Sequence, residues 1–350
     1  MEGAQGSRST FEANGYLIGQ LSTKQIMNIA IIYHSADWDG KLSNEVCRFH
    51  LAKQYPGATI SSIGWDYGQP VPLLDPKAHD QIYMVDLCID ALMEETPIRE
   101  KLIWIDHHAS AIEKWGDSLR GIRIDGVAAC RLCWQWFVYY TNRPGNPGVN
   151  EHPEPLTKAM FVDRIVNEPE LIRLAGEYDV WDHRDPLALP LQFGLTALES
   201  HDLASVIEWQ FETYPKLAGR ATDALAVVVN GGLDIKRYID KRNTEHALAN
   251  AVTVKFAGLT CCCLNIGQPG NSQLFTAALK DEHQACLAWR HTGKAVSVSL
   301  YGITGKSTDG ILEIALSFGG GGHKGACGFR ITLEEMAKIL DGKLAEGKIK

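Results

Sequence analysis

Histidine and aspartate side chains follow three short apolar segments near the start of the chain. IMNIAIIYH leads into SADWDG, IYMVDLC follows, and then LIWIDHH; together they supply His34, Asp37, Asp39, Asp86, Asp106, His107 and His108. A carboxylate beside a buried strand costs free energy unless something pairs with it. Imidazole with carboxylate suits Mn²⁺, Fe²⁺ or Zn²⁺ better than Mg²⁺ or Ca²⁺. The set exceeds what one ion needs, which indicates two divalent ions and, with them, phosphoryl chemistry.

The same residues have a simpler interpretation as turn and helix-capping residues, because aspartate is common in both places. For any single segment that interpretation is the better one. Three segments that all end in His or Asp favour the metal site. The carboxyl ends of parallel strands meet at one edge of a sheet, and ligands bind outside that edge.

The elements that must position these residues form an alternating pattern. Apolar strand candidates at 26–34, 58–65, 81–88 and 101–108 are separated by helix-length or loop segments, and helical segments follow over 125–140 and 168–183. This pattern predicts an α/β fold with a Rossmann-like parallel sheet covered on both faces. Beyond residue 250, VTVKFAG, LTCCCLNI and AVSVSLYGI are strand candidates, with helices in NSQLFTAALKD, DGILEIALSFGG and TLEEMAKILDGKL.

We therefore predict two α/β domains. Residues 1–25 are a lead-in, 26–195 the metal-binding catalytic domain, 196–250 a helical linker, and 251–350 a smaller substrate-binding domain. A chain of 350 residues is long for one core, which agrees with this division.

Composition limits the partners. The net charge of −8 argues against non-specific binding of long nucleic acid, which needs a basic protein surface. No segment approaches the ~18 apolar residues of a membrane span, and the polar start MEGAQGSRSTFEANG lacks the core of a signal peptide. The nine cysteines form no regular frame, so we expect reduced, buried thiols and a cytoplasmic setting. A homodimer is compatible with this composition.

A glycine-rich loop, GGGGHKGACG over residues 319–328, is the second candidate site. Consecutive glycines let backbone amides approach an anion without interference from Cβ atoms. Gly320, Gly321 and Gly322 with His323 and Lys324 thus predict a phosphate-binding loop. The alternative is a flexible turn before the strand GFRI, and the spacing is not that of a Walker loop.

These motifs carry a resemblance to a known family. IDHHAS at 105–110 resembles the signature of the DHH phosphoesterase superfamily, HSADWDG its first motif, MVDLC its second and YDVWDH its fourth. GGGGHKGACGF is similar to the glycine-rich motif of the DHH-associated C-terminal domain. The motifs stand in family order from residue 34 to 329, and the resemblance extends to nanoRNases and 3′-phosphoadenosine 5′-phosphate phosphatases.

The resemblance implies two Mn²⁺ ions per chain, with other divalent metals as alternatives. One ion is bound by His34, Asp37 and Asp86. The other is bound by Asp39, Asp86, His107 and Asp179. HSAD has two residues between histidine and aspartate where many relatives have three, so Asp37 either lies on a tighter loop or is not that ligand. YDVWDHRD also offers Asp182 and Asp185, and we prefer Asp179.

The resemblance also implies roles around the ions. Asp106 orients His107, His108 faces the scissile phosphate, and the glycine loop holds substrate from the second domain. We expect a phosphoesterase acting on a short oligoribonucleotide, a linear or cyclic dinucleotide, or 3′-phosphoadenosine 5′-phosphate. The alternatives are a pyro- or polyphosphatase using the same metals and a nucleotide-binding protein without catalysis.

Overall fold

A computed structural model describes residues 26–141, 155–198, 207, 210–211, 223–268 and 270–342. The expected lead-in over 1–25, most of the Pro/Gly/Asn loop over 141–155 and most of the stretch 199–222 lie outside these residues. The chain divides into two compact units, residues 1–182 with 211–218 and residues 183–210 with 219–350.

The first unit is built on a four-stranded parallel sheet. Its strands are β1 (Asn28–His34), β2 (Thr59–Trp65), β3 (Gln81–Val85) and β4 (Leu102–Ile105). They lie in the order β2-β1-β3-β4, and all neighbouring pairs are parallel. Strands β1, β3 and β4 are almost continuously buried, as expected for a parallel sheet covered on both faces, whereas the edge strand β2 is largely exposed.

The helices of this unit connect and cover the strands. They are α1 (Trp38–Gln54), α2 (Asp90–Glu94), α3 (Thr96–Arg99), α4 (Ala109–Trp115), α5 (Ala129–Gln135), α6 (Lys158–Val162) and α7 (Glu170–Asp179). A 3₁₀ turn spans Gly116–Ser118, and a π-helical segment, Trp136–Thr141, continues α5. Buried Arg131 on α5 donates through Nε to both carboxylate oxygens of Glu168 at 3.0 Å, which ties α5 to the start of α7.

The second unit carries a six-stranded mixed sheet. Its strands are β5 (Val252–Phe256), β6 (Leu259–Asn265), β7 (Ala285–His291), β8 (Val296–Gly302), β9 (Gly321–His323) and β10 (Ala326–Ile331). The order is β5-β6-β7-β8-β10-β9, with β6 and β7 parallel and the other neighbours antiparallel. Its helices are α8 (Ala188–Ala197), α9 (Asp223–Asn250), α10 (Ile311–Ser317) and α11 (Leu333–Leu340), with a 3₁₀ helix over Ser272–Ala278.

Alternation along β6 separates two apolar layers in this unit. Cys261 and Cys263 belong to the larger cluster, which includes Ile314 from α10. Cys262 lies in a second cluster together with Ala247 from α9. All nine cysteines are free thiols, and all except partly exposed Cys88 are buried. Among the described residues, no helix is both long enough and apolar enough to cross a membrane.

The predicted α/β class, with a parallel sheet and a second sheet, is confirmed. The pattern missed β7, whose ACLAWRH has few β-branched residues, and the short strand β9. It also predicted an ordinary helix where Ser272–Ala278 is 3₁₀, and it did not foresee that α1 begins at Trp38.

Candidate metal centre

Strand order places the first polar cluster at a crevice. The chain runs from β1 to β2 on one side and then to β3 and β4 on the other, so β1 and β3 are neighbours whose connections leave in opposite directions. Such a switch point opens a crevice outside the carboxyl ends of the strands. His34 ends β1 and Asp86 directly follows β3. The two residues therefore lie where a parallel sheet binds ligands.

His34 is the centre of one ligand group. Its Nδ1 lies 2.8 Å from Asp37 Oδ2 and 3.5 Å from Asp86 Oδ2. Burial alone would lower the pKa of His34, but hydrogen bonds with Asp37 and Asp86 raise it to about 11. Asp37 also caps α1, because its Oδ1 accepts a hydrogen bond from Gly40 N at 3.0 Å. The capping and metal-binding interpretations of Asp37 are thus compatible, since each uses a different oxygen.

His107 is the centre of a second group that shares Asp86 with the first. Its Nε2 lies 3.4 Å from Asp86 Oδ1, 3.4 Å from Asp179 Oδ2 and 3.6 Å from Asp39 Oδ2. Burial lowers the pKa of His107, but the charges of Asp39 and Asp179 raise it on balance. Three carboxylates around one imidazole nitrogen form an anionic pocket. Asp179, the acid that we prefer in the YDVWDH segment, lies within this group.

Asp39 is held in place by the start of α5. Its Oδ2 accepts a hydrogen bond from Ala129 N and its Oδ1 one from Cys130 N, both at 2.7 Å. The carboxylate is 2% exposed, so these two amides replace its lost hydration. The segment GVAACRLCW thereby fixes one member of the cluster, which explains why its backbone must begin a helix at that point.

Asp86 combines burial, like charge and backbone strain. Burial raises its pKa well above the usual value, and the neighbouring Asp39 carboxylate adds to the rise. Its φ is +60°, a left-handed conformation that is uncommon outside glycine, although aspartate adopts it more readily than most residues. The Asp86 N–H donates to Ile105 O at 2.9 Å, which secures this bend against β4. Strained, buried acids of this kind concentrate at functional sites.

Asp106 orients the ring of His108 rather than that of His107, which is a correction to our expectation. Its Oδ1 lies 2.7 Å from His108 Nδ1 and accepts the backbone N–H of His107, also at 2.7 Å. The other oxygen, Oδ2, is buried and has no hydrogen-bond partner among the described residues. Burial lowers the pKa of His108, but the hydrogen bond with Asp106 raises it on balance.

Two residues that follow β2, Asp66 and Tyr67, also lie at the site, although the sequence motifs did not include them. Asp66 Oδ1 lies 3.2 Å from His34 Nε2, on the opposite side of the ring from the other carboxylates, and accepts Tyr67 N–H at 2.7 Å. The Tyr67 ring lies 5.9 Å from the His34 ring, and its hydroxyl accepts Cys88 N–H at 3.3 Å. The signal was present, since Asp66 directly follows a strand as Asp86 and Asp106 do.

The glycine-rich loop belongs to the second unit and is more regular than a flexible turn. Residues Gly321–His323 form β9, which pairs with β10, and Lys324 Nζ lies 3.1 Å from Asp309 Oδ1. An added Cβ at Gly320 would lie 2.0 Å from Gly328 O, whereas one at Gly321 would meet nothing within 4 Å. Gly322 has a φ of +136°. Close packing and backbone conformation therefore require Gly320 and Gly322, and they leave Gly321 unexplained.

The residues of the first unit fit divalent cations. The ligand atoms fall into groups whose members lie within 4.8 Å of one another: His34, Asp37 and Asp86; Asp39, His107 and Asp179; and Asp86, Asp106, His107 and His108. Burial raises the pKa of both Asp86 and Asp179, and one Asp106 oxygen lacks a partner among the described residues. Added positive charge would offset each of these costs. The fold and site define an α/β protein with a buried carboxylate–imidazole centre at the switch point of a parallel sheet.

Comparisons with known proteins gave matches among solved structures alone. Neither a family model nor a curated protein matches the chain. An exopolyphosphatase-related protein from Bacteroides fragilis is 16% identical, with 91% of each chain covered and a TM-score of 0.49. The pGpG-specific phosphodiesterase PggH from Vibrio cholerae is 14% identical over 91% of this chain and 97% of that one, with a TM-score of 0.45. RecJ from Thermus thermophilus, in complex with Mn²⁺, is 15% identical over 90% of this chain and 51% of that one, with a TM-score of 0.44.

Proposed function

We propose that this chain is a metal-dependent phosphoesterase of the DHH type that hydrolyses a small nucleotide-type phosphate ester. One observation carries the proposal: two carboxylate–imidazole groups share the buried carboxylate of Asp86. A carboxylate shared by two ligand groups suits two neighbouring divalent metal ions. Two-metal sites of this kind serve phosphoryl transfer.

The two groups divide the ligands as the motifs imply. His34, Asp37 and Asp86 would hold one ion. Asp39, Asp86, His107 and Asp179 would hold the other. Mn²⁺ is the ion we favour, because the set mixes imidazole with carboxylate. When bound, such ions polarise the phosphoryl oxygens and lower the pKa of water.

His108 is the side chain we assign to substrate. Its Nδ1 is engaged by Asp106 at 2.7 Å, so a bond from this ring to substrate would use Nε2. With a raised pKa, the ring carries protons on both nitrogens over a wider pH range, and it then donates from Nε2. We infer that His108 donates to a phosphoryl oxygen and that Asp106 fixes the ring for this role.

We propose the glycine-rich loop as the phosphate-binding segment of the second unit. Gly321 has open space at its α-carbon, and Gly320 and Gly322 fix the backbone on either side of it. An uncovered backbone of this kind can approach a phosphate oxygen closely. His323 and Lys324 would add donors and positive charge to the same anion.

A substrate panel with Mn²⁺ tests the proposal. The panel contains the linear dinucleotide pApA, a cyclic dinucleotide, 3′-phosphoadenosine 5′-phosphate and polyphosphate. We expect Mn²⁺-dependent hydrolysis of a nucleotide member, and none by Asp86→Ala, which removes the shared ligand. Hydrolysis of polyphosphate alone would establish the alternative enzyme. Mn²⁺ binding without any hydrolysis would establish a binding protein.

Paired variants separate the assigned roles. His108→Ala should lower turnover about 100-fold or more, as expected when one hydrogen-bond donor to developing charge is removed, while Mn²⁺ stoichiometry measured by calorimetry stays at two. Asp86→Ala should lose metal and activity together. Loss of both ions in His108→Ala, with retention of both in Asp86→Ala, would reverse these roles and contradict the proposed site.

A further inference from the structure

The end of α7 has an unusual occupant. Asp182 N–H donates to Glu177 O at 2.7 Å and Trp181 N–H donates to Tyr178 O at 3.0 Å, the two bonds of a Schellman motif. The residue between the helix cap and Asp182 must be left-handed in this motif. Here it is Trp181, with a φ of +58°.

A tryptophan is poorly suited to this position. Glycine usually fills it, because a left-handed backbone is disfavoured for any residue with a Cβ and most of all for bulky ones. Trp181 is also 44% exposed, so burial of the ring does not fully repay the strain. Residues held in such sparsely populated backbone conformations cluster at functional sites.

The position of Trp181 indicates which function. It lies two residues after Asp179, so their α-carbons are at most about 7 Å apart, and Asp179 Oδ2 is 3.4 Å from His107 Nε2. The indole packs against the Tyr178 ring at 5.8 Å and 59°, which restrains it from one side. A partly exposed indole, in contact with Tyr178, therefore follows the candidate ligand Asp179 by only two residues.

We propose that Trp181 is a stacking platform for a nucleobase of the substrate. The inference rests on the proposed function and narrows it, because a polyphosphate has no ring to stack. Base–aromatic stacking tolerates any base. Trp181 would therefore confer a preference for nucleotides over other phosphate esters without selecting a particular sequence.

The test compares pApA with its abasic counterpart, which has the same phosphates and sugars. Wild-type protein should show a KM for pApA roughly tenfold or more below that for the abasic substrate. Trp181→Gly should abolish this ratio, and Trp181→Phe should restore most of it. Because glycine relieves the backbone strain, the melting temperature of Trp181→Gly should equal or exceed that of wild type.

A matched control separates relief of strain from loss of the ring. Ala257 has a φ of +48° in the turn between β5 and β6. Ala257→Gly should raise stability in the same way and leave the KM ratio unchanged. An unchanged ratio in Trp181→Gly would overturn the inference alone. So would a lower melting temperature with equal losses on both substrates, which would make the indole structural.

Two further outcomes distinguish failure of the stacking role from failure of the proposed phosphoesterase function. Hydrolysis of polyphosphate but not of pApA would overturn the stacking role and leave a metal-dependent phosphoesterase. Hydrolysis of no panel member in the presence of Mn²⁺ would overturn the proposed function itself.

Discussion

Replacing Asp179 by asparagine should stabilise the metal-free protein. The ligand atoms of Asp39, His107 and Asp179 lie within 4.8 Å of one another. At 4.8 Å, two like charges repel by about 3.5 kcal/mol with an effective dielectric constant of ~20. The nearby imidazole of His107 offsets part of this repulsion. We therefore expect the variant to gain about 1–3 kcal/mol of unfolding free energy without metal.

The gain should grow with pH. Burial raises the pKa of Asp179 well above its ordinary value of 3.8, and the charge of Asp39 adds to the rise. Such a carboxyl binds its proton more tightly in the folded chain than in the unfolded chain. Its contribution to stability is thus fully present below pH 3.8 and is lost as pH rises through the folded-state pKa. Asparagine does not titrate, so the variant escapes this loss.

Mn²⁺ should reverse the order of stability. An ion at 1,000 times its dissociation constant stabilises the folded protein by about 4 kcal/mol. Wild type should receive this gain in full, whereas Asp179→Asn lacks one ligand and should receive less. The assay is thermal unfolding followed by circular dichroism, at several pH values, in EDTA and in Mn²⁺. The expected shift in EDTA is roughly 2–10 °C.

A control variant tests whether the effect is specific to the cluster. Asp240 lies on α9, is about half exposed and pairs with Lys236. Asp240→Asn should change stability little in either condition, as for exposed ion pairs generally. If Asp179→Asn were less stable than wild type in EDTA, the carboxylate would be a net stabilising group. The case for a site that awaits positive charge would then fail.

Three further results are expected. Asp66→Asn should weaken Mn²⁺ binding about tenfold in calorimetry, because the carboxylate opposite the ligand nitrogen fixes the ring of His34; unchanged affinity would remove Asp66 from the site. Burial lowers the pKa of His50 to about 4. The free energy of unfolding of wild type should therefore fall by up to roughly 3 kcal/mol between pH 6.5 and 4, because His50 takes up a proton in the unfolded chain first. The free energy of unfolding of His50→Phe should fall less over the same range, as measured by acid denaturation. Gly320→Ala should lower the melting temperature, since its Cβ would meet a backbone oxygen at 2.0 Å, whereas Gly321→Ala should not; equal effects would show that neither position is set by packing.

The sequence predicted the first-unit sheet well because its buried strands are continuous apolar segments. It also predicted that the polar strand ends would meet, since parallel strands present their carboxyl ends at one edge. It could not predict that β1 and β3 are neighbours. That order depends on the direction in which each connection leaves its strand, and so the contact between His34 and Asp86 became visible only in three dimensions.

The sequence predicted which residues belong to the candidate site better than it predicted which of them contact one another. From the sequence, Asp106 could hydrogen-bond to the ring of His107 or to that of His108. The side-chain rotamers in the structure place it against His108. The glycine-rich loop predicted an anion-binding site. At Gly320, however, the close approach of neighbouring backbone atoms is enough to explain why the residue is glycine. The left-handed conformation of Trp181 could not be predicted, because glycine usually occupies this position at the end of a helix. These features depend on side-chain rotamers, backbone conformation and close atomic packing, which a pattern of residue types does not encode.

The segments that build the metal centre also determine when it can form during synthesis. The cluster draws on residues from His34 through Asp179, so a nascent chain contains the first histidine long before the last carboxylate. At about 5–20 residues per second, this interval lasts roughly seven to thirty seconds. During that time Asp39 can be held only after Ala129 and Cys130 have emerged and started α5. The last residues of the candidate centre are therefore synthesised after all four strands of the sheet, and metal binding by the full set of ligands would come late in synthesis.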